Sequence, residues 1–445
     1  MNMHKIYFET LGCSKNEVDT NIMKSILDKK LYEITDSKEI ADIIVVNTCG
    51  FIESAKIESI DTILELAKLK QSGFCKFLVL TGCLAQRYPE ELITEMPEID
   101  AIIGTGNINK INDVLSNLNS NKKNVLVDNI NNLYPENINR EVESFVQYVK
   151  ISEGCNNNCT YCIIPKLRGK NRSRRIEDIL EEIKYLVHNN VKEIVLIAQN
   201  TSDYGIDLYH EYKLYELLNE IEKIEGDFLV RLLYLYPDHI DDKLIMSIKN
   251  NSKIAKYLDI PLQHVSNNIL RSMNRRTDRE SIEALIVKLR KEIPEVIIRT
   301  TLIVGFPGET EDDFNELYEF IEKYKFDKLG VFPYSREEGT ASYNYPNQIS
   351  EEVKLNRLER IMKVQKKISN DILRSRIGKT YRVLVEAEIE DNLYEGRSYM
   401  DSPEIDGVVF IQSKSPLELG QFVNVHIVDS LEYDLMGVVE NEFSK

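Results

Sequence analysis

Apolar positions along the chain keep three different rhythms, and each rhythm marks a segment. Through the first hundred residues, short apolar runs alternate with longer stretches whose apolar positions recur every three or four residues. The runs at 5–9, 42–47 and 76–80 are predicted strands, and the stretches at 16–28, 54–69 and 89–96 predicted helices. Strands alternating with helices imply a parallel sheet with right-handed crossovers. The rhythm then lapses into an Asn-rich stretch containing Pro135, around one strand-like patch at 125–127, which reads as a linker. A second alternation places strands at 145–151, 193–198, 229–235, 257–260, 296–304 and 328–332, with helical patterns such as 176–188 and 279–291 between them. Six such units suggest a partial (βα)6 barrel, a relative of the eight-unit barrel. A long charged helix at 351–376 closes it, and its lysines and arginines read as a solvated face. From 378 the period falls to two, over 381–388, 394–400, 407–411, 422–428 and 434–439, which makes a small closed β-barrel of OB-like size. The expected chain is therefore α/β and multidomain: a parallel α/β domain over 1–117, a linker over 118–140, the partial barrel with its closing helix over 141–376, and the terminal barrel over 377–445.

Composition narrows the setting. At 445 residues the chain exceeds one ordinary core. No apolar run reaches membrane-spanning length and the first residues lack signal-peptide anatomy, so a cytoplasmic protein without membrane attachment is expected. Seven cysteines then read as metal ligands or reactive thiols rather than disulfides. The net charge of −17 argues against a surface built mainly to hold phosphate backbones.

Those cysteines carry the chemistry. Cys155, Cys159 and Cys162 lie in one loop with CxxxCxxC spacing, at the C-terminal end of the strand at 145–151. Three thiolates on one loop can hold three corners of a 4Fe-4S cubane and leave the fourth iron open, as in a reactive rather than an electron-carrying site. An enzyme that binds S-adenosylmethionine (SAM) at that iron and works by radical chemistry follows. A structural zinc loop is the alternative, but no fourth Cys or His lies nearby. Cys13, Cys49 and Cys83 each follow one of the first three predicted strands, at the sheet edge where ligands gather. Together they would hold a second cluster with one free iron. Three buried apolar thiols are the alternative, though Gly or Thr flanks each Cys. Cys75 precedes its strand, at the opposite edge, and is given no ligand role.

Polar motifs end the strands of the partial barrel in phase. They are Gln199-Asn200-Thr201, Tyr236-Pro237-Asp238-His239, Pro261-Leu262-Gln263-His264, Gly305-Phe306-Pro307-Gly308-Glu309-Thr310 and Pro333-Tyr334-Ser335. Among them Gly305 and Gly308 would let backbone approach a cofactor closely. Glu309 would either bond its ribose or amino group or complement a helix N-terminus. Gln199, Gln263 and His264 are pocket candidates, with a satisfied structural role the alternative for His264. Arg168 would meet a carboxylate of SAM or substrate, or else form an ordinary ion pair.

Leu11-Gly12-Cys13-Ser14-Lys15-Asn16, Asn47-Thr48-Cys49-Gly50-Phe51, Thr81-Gly82-Cys83-Leu84-Ala85-Gln86-Arg87, the CxxxCxxC loop, Arg168-Gly169-Lys170 with Ser173-Arg174, and residues 305–310 together resemble the methylthiotransferase family of radical SAM enzymes, over nearly the whole chain. The resemblance implies an N-terminal cluster domain, a radical SAM barrel and a C-terminal TRAM domain. It also implies two 4Fe-4S clusters, SAM, and a one-electron donor such as flavodoxin or ferredoxin. One branch of the family modifies adenosine in tRNA; the other modifies an aspartate of small-subunit ribosomal protein S12, free or in the assembling ribosome. Residues 198–201 through Tyr204-Gly205, 231–234, 259–264, 334–340 and 400–407 resemble the second branch. Ser14 stands where Pro is usual, and Asn200 where Asp is usual. In that branch the deoxyadenosyl radical from SAM takes hydrogen from the aspartate β-carbon, and the N-terminal cluster delivers a sulfur methylated by a second SAM. An iron–sulfur electron carrier is a third reading, disfavoured because a carrier needs no SAM pocket.

Charge supports the ribosomal branch independently. From Lys379 onward, five basic side chains face fourteen acidic ones, a net charge of −9. An RNA-binding barrel should show a positive groove with stacking aromatics. An acidic one suits a Lys/Arg-rich protein, or simply aids solubility.

Overall fold

The computed structural model describes residues 3–118, 123–132, 140–142 and 144–440; Pro135, within 133–139, and Glu442 and Lys445 of the charge count lie outside them. Six parallel strands form the first sheet: β1 (His4–Thr10), β2 (Tyr32–Ile34), β3 (Ile43–Thr48), β4 (Phe77–Thr81), β5 (Ile99–Ile103) and β6 (Asn124–Leu126), in the order β2-β1-β3-β4-β5-β6. Helices cover both faces, so a central strand such as β3 is apolar without alternation and fully buried. The order reverses between β1 and β3, and loops leaving such a switch point part to open a crevice. β2 and β5 were not legible in the pattern. β2 is a three-residue edge strand, and the Ile-Asp-Ala-Ile-Ile of β5 has no alternation to separate it from a helical tail. β6 falls in the expected linker and extends the sheet through its pairing with β5.

The second sheet is built from β7 (Val146–Lys150), β10 (Glu193–Ile197), β11 (Leu229–Leu232), β12 (Ile254–Asp259), β13 (Ile297–Val304) and β14 (Lys328–Pro333). A two-stranded pair, β8 (Ser152–Glu153) with β9 (Arg172–Ser173), follows β7. The six are parallel in the order β14-β13-β12-β11-β10-β7, a partial barrel left open between β14 and β7. Their outward side chains and the surrounding helices make one core. Tyr148, Val195, Ile197, Leu233, Ala255, Tyr257 and Ile297 instead belong to a second core shared with Val18 and Ile22 of the first domain and Val383 and Val409 of the last. The helix Glu351–Arg374 closes the barrel, and here the expectation of a solvated charged face needs correction. Lys354 and Arg357 are buried: Lys354 Nζ donates to Tyr334 O at 2.9 Å and Arg357 Nη1 to Glu309 Oε1 at 3.0 Å. Their turns face the barrel, and only the outer lysines, such as Lys363 and Lys367, are exposed.

The last strands, β15 (Thr380–Glu390), β16 (Leu393–Ser398), β17 (Val409–Gln412), β18 (Phe422–Ser430) and β19 (Leu435–Val439), form a closed barrel in the order β15-β16-β17-β19-β18. It seats on the N-terminal mouth of the partial barrel. Glu193, first residue of β10, pairs with Arg231 at 2.6 Å and with Arg397 at 2.8 Å. Lys328, first residue of β14, pairs with Asp401 at 2.6 Å, and Tyr257 Oη donates to Asp406 at 2.7 Å. Glu193→Ala would leave the buried Arg231 with backbone carbonyls in place of a carboxylate and Arg397 with Glu386 alone. We expect a cost of about 3–5 kcal/mol, read as a lower urea midpoint with early proteolytic release of the terminal barrel.

Candidate active site

Strands β1, β3 and β4 lie side by side, with Thr10 beside Asn47 and Asn47 beside Thr81, so their three loops leave the sheet together. Cys13 caps the helix Ser14–Ile26, Cys49 follows β3 directly, and Cys83 sits in the first turn of the helix Gly82–Arg87. Glycines let these loops touch. A Cβ on Gly12 would lie 2.7 Å from the Cβ of Cys49; one on Gly50, 2.7 Å from the Leu84 backbone; one on Gly82, 2.4 Å from Thr48 O. Gly12 and Gly82 also hold φ of +91° and +90°, a region that favours glycine. Burial pushes the Cys49 thiol up to about 11, and Cys83 and Cys13 add to the rise. Burial raises Cys83 as well, opposed by the guanidinium of Arg168. Ser59, which no sequence motif singles out, accepts from Cys49 N–H at 3.0 Å and donates to Cys49 O at 2.8 Å. A lone serine in a helix offers no sequence signal for that role.

The second triad sits on the loop after β8, at the C-terminal mouth of the partial barrel. Asn157 N–H points at Cys155 Sγ over 3.4 Å, and Cys162 N–H donates to Cys159 O at 3.0 Å. Burial pushes the Cys155 thiol up to about 11 with Cys159 adding to it, and burial and the same neighbour raise Cys162. Beside them Arg275 stacks 4.2 Å over the Tyr236 ring, donates to Pro261 O at 2.8 Å and reaches Tyr161 Oη at 3.3 Å.

One polar network joins the two triads. Arg168 is 2 % exposed and donates to Asp19 Oδ2 and Asn16 Oδ1, both at 2.5 Å, and to Glu153 Oε2 at 3.2 Å. Lys150 bonds the same two carboxylates, Asp19 at 2.5 Å and Glu153 at 2.7 Å. Burial alone would raise Glu153, but Lys150 and Arg168 hold it well below the usual carboxylate range. Gln199 Nε2 completes the chain with a 2.5 Å bond to Glu153 Oε1. Arg168 thus faces the first domain and Cys83, with its donors committed to protein partners. Cys83 also packs on Ile163 and Leu167, the residues just beyond Cys162. The two triads flank one junction.

The other sequence candidates divide. Gln199 Oε1, Asn200 Nδ2 and Ser152 Oγ are buried without a partner at the ends of β10 and β8, where a polar ligand would satisfy them. Gln263 adopts a φ of +71°, uncommon for a residue with a side chain, in the loop after β12. Glu309 is turned inward: its Oε2 accepts from Gly305 N–H at 2.6 Å and Phe306 N–H at 3.0 Å, and burial pushes its carboxyl up to about 7 against Arg357. Burial pushes His264 down to about 3, so it is neutral; its Nδ1 accepts from Ser266 N–H, and its Nε2 stands 3.9 Å from Glu309. A Cβ on Gly305 would strike Lys354, whereas Gly308 faces open space. Cys75 is buried and donates to Phe77 O at 3.2 Å, away from both triads.

Among the described residues no three such side chains close tightly enough to share a single metal ion. Cubane ligands bind separate iron corners and stand wider apart than ligands of one ion. The donor set fits that group: three soft thiols per site, on glycine-tight or backbone-capped loops.

Comparison with known proteins finds three domains along the chain. Residues 5–104 match the uncharacterized protein family UPF0004, residues 149–321 the radical SAM superfamily and residues 377–439 the TRAM domain. The chain is 53 % identical over 444 residues to the ribosomal protein uS12 methylthiotransferase RimO of Clostridioides difficile (strain 630), covering 99 % of this chain and 100 % of that one. It is 48 % identical to the protein of the same name from Thermoanaerobacter sp. (strain X514), over 98 % of this chain and 100 % of that one. Among solved structures, the radical S-adenosylmethionine methyltransferase TsrM of Kitasatospora setae, with cobalamin and a 4Fe-4S cluster bound, aligns with a TM-score of 0.58 at 12 % identity, over 91 % of this chain and 82 % of that one. That likeness shows a shared fold.

The raised thiols give a direct check on cluster-free protein. Alkylation of Cys49 and Cys155 by iodoacetamide should climb about tenfold per pH unit from 8 to 10, because only the thiolate reacts. Levelling near pH 9 would mean that the two thiols are ordinary and exposed.

Proposed function

The chain belongs to the RimO family of radical SAM methylthiotransferases, and from that membership we propose that it adds a methylthio group to the β-carbon of an aspartate in small-subunit ribosomal protein uS12. The observation that carries the reading is the pair of cysteine triads flanking one buried junction, since sulfur insertion needs two reactive centres within reach of one substrate atom.

Cys155, Cys159 and Cys162 would hold three corners of one cluster, and Cys13, Cys49 and Cys83 three corners of a second. Bound there, the first with SAM supplies a carbon radical able to take a hydrogen atom, and the second supplies methylated sulfur. Every other contribution is the protein's own. Ser152, Gln199 and Asn200 offer unpaired polar atoms to the amino, carboxylate and ribose groups of SAM. Glu153 fixes Gln199, and Lys150 and Arg168 keep Glu153 ionised so that it can do so. Arg168 also places positive charge beside Cys83, which favours the thiolate needed for iron ligation. Glu309, Gly305 and His264 brace one another beside the same mouth, and Gln263 bridges to Leu302 of β13.

The terminal barrel supports a protein rather than an RNA substrate. Of its four described basic side chains, Arg382 pairs with Asp227 and Arg397 with Glu193 and Glu386. Glu388, Glu390 and Asp391 stand exposed at the β15–β16 turn. Such a surface repels phosphates and attracts a Lys/Arg-rich protein. No described helix is long and apolar enough to cross a membrane. We assign the reaction to the cytoplasm, with a small one-electron protein donor.

The test is mass spectrometry of ribosomal proteins and of tRNA from cells lacking the gene. Loss of a methylthio mass from a uS12 aspartate, with tRNA unchanged, is expected; loss from tRNA adenosine would assign the other branch of the family. In vitro, Cys159→Ala should abolish reductive SAM cleavage. Cys83→Ala should retain cleavage and lose methylthio transfer, and loss of both activities in Cys83→Ala would contradict the division of labour.

A further inference from the structure

The loop that leaves β14 carries no cysteine, yet it is bonded to the loops of both triads. It is braced from within: Tyr334 Oη donates to Ser342 Oγ at 2.8 Å, and Thr340 Oγ1 donates to Glu337 O at 2.6 Å. Lys354 holds its root through Tyr334 O. Glu337 is 2 % exposed, and its carboxylate faces the first domain. Oε2 accepts from Arg87 Nη1 at 2.9 Å and lies 3.2 Å from Lys56 Nζ, while Oε1 accepts from Ser335 Oγ at 2.6 Å.

Arg87 is the residue that gives this contact its reach. It lies four positions beyond Cys83, on the same short helix. Its Nη1 also donates to the carbonyl of Gly50, next to Cys49, at 2.9 Å, and its Nη2 donates to Glu338 O at 2.6 Å. The other end of the same loop grips the barrel triad. Ser342 N–H donates to Thr160 O at 2.9 Å, Thr160 being the neighbour of Cys159, and Lys166 Nζ donates to Gly339 O at 2.7 Å. Two cations converge on a buried carboxylate in a loop whose far end is bonded to the opposite cysteine loop.

We propose that Glu337 is a positioning residue that sets the separation of the two cysteine triads, by anchoring Arg87 and the loops of Cys49 and Cys83 to the loop of Cys159 and Cys162. This rests on the methylthiotransferase reading. The Glu337 carboxylate bonds Arg87, Lys56 and Ser335 rather than a cysteine, so it acts through Arg87. Arg168 and Glu337 bond different residues of the first domain, Asn16 and Asp19 for Arg168 and Arg87 and Lys56 for Glu337, so the junction has two separate polar anchors.

The test uses the full-length, reconstituted enzyme. Glu337→Gln keeps the shape and the Ser335 bond but strips the carboxylate from Arg87 and leaves Lys56 with Glu53 alone. Iron content and SAM cleavage without substrate should match wild type. Methylthio product per SAM cleaved should fall about 10- to 100-fold, the scale of a misplacement of about one ångström. Magnetic coupling between the two reduced clusters, read by electron paramagnetic resonance, should weaken in parallel. Arg87→Met should reproduce both effects, and the double variant should be no worse than either single one. Glu337→Asp should recover part of the loss. If Glu337→Gln does not fold, Arg87→Lys serves, since it retains the charge but cannot reach Gly50 O and Glu338 O together. Unchanged product yield with unchanged cluster coupling overturns the proposal. Failure of the wild-type enzyme to modify uS12 would instead sink the functional reading, and the coupling measurement would still judge Glu337.

Discussion

Four ionised side chains buried between the first domain and the barrel set the terms for the rest of the molecule. Asp19 comes from the helix after Cys13, Lys150 from the end of β7, Glu153 from β8, and Arg168 from the helix after Cys162. Removing each charge from water costs several kcal/mol, so the group is stable only as a set, with two anions and two cations bonded to one another. Asn16 and Gln199 satisfy what the charges leave over. Such a set tolerates little displacement, because a slip of one domain would strand a buried charge. Rigidity at the junction is what a reaction shared between two cysteine sites requires.

The same economy of placement explains the thiols. Burial raises the proton affinity of Cys49, Cys83, Cys155 and Cys162, and neighbouring thiols add to the rise. Left alone, such groups are poor ligands. Arg168 beside Cys83, and the backbone N–H of Asn157 beside Cys155, act in the opposite direction and favour the thiolate. A cationic iron cluster bound at these thiols would supply the remainder of the compensation, which would couple folding to metal loading.

Acidity in the terminal barrel turns out to serve two purposes. Asp401, Asp406 and Glu386 face inward, where they receive Lys328, Tyr257 and Arg397, so part of the net charge belongs to domain docking. The acids at the β15–β16 turn remain exposed and give the surface its sign. Because this barrel seats on the N-terminal mouth, it lies at the end of the partial barrel away from both triads. Any attraction it exerts on a basic partner acts by gathering and orienting rather than by touching the reacting atom.

Strand–helix alternation, the period-two tail and the spacing of Cys155, Cys159 and Cys162 were local facts, so the sequence alone determined three segments, their fold classes and one loop with three closely spaced thiols. Convergence of Cys13, Cys49 and Cys83 was also readable, because parallel strands carry their C-terminal loops to one edge whatever their separation in the chain. Short edge strands such as β2 were not, since three residues are too few to carry a period. The partners of Arg168, Glu309 and Lys354 were likewise out of reach. Arg168 and Glu309 lay within recognisable motifs and Lys354 in an ordinary charged helix, and only the packing of distant segments decided whether each faced solvent, a cofactor or another domain. Local rhythm determines what a segment becomes; the pairing of buried charges is settled by which surfaces meet, and that exists only once the chain is folded.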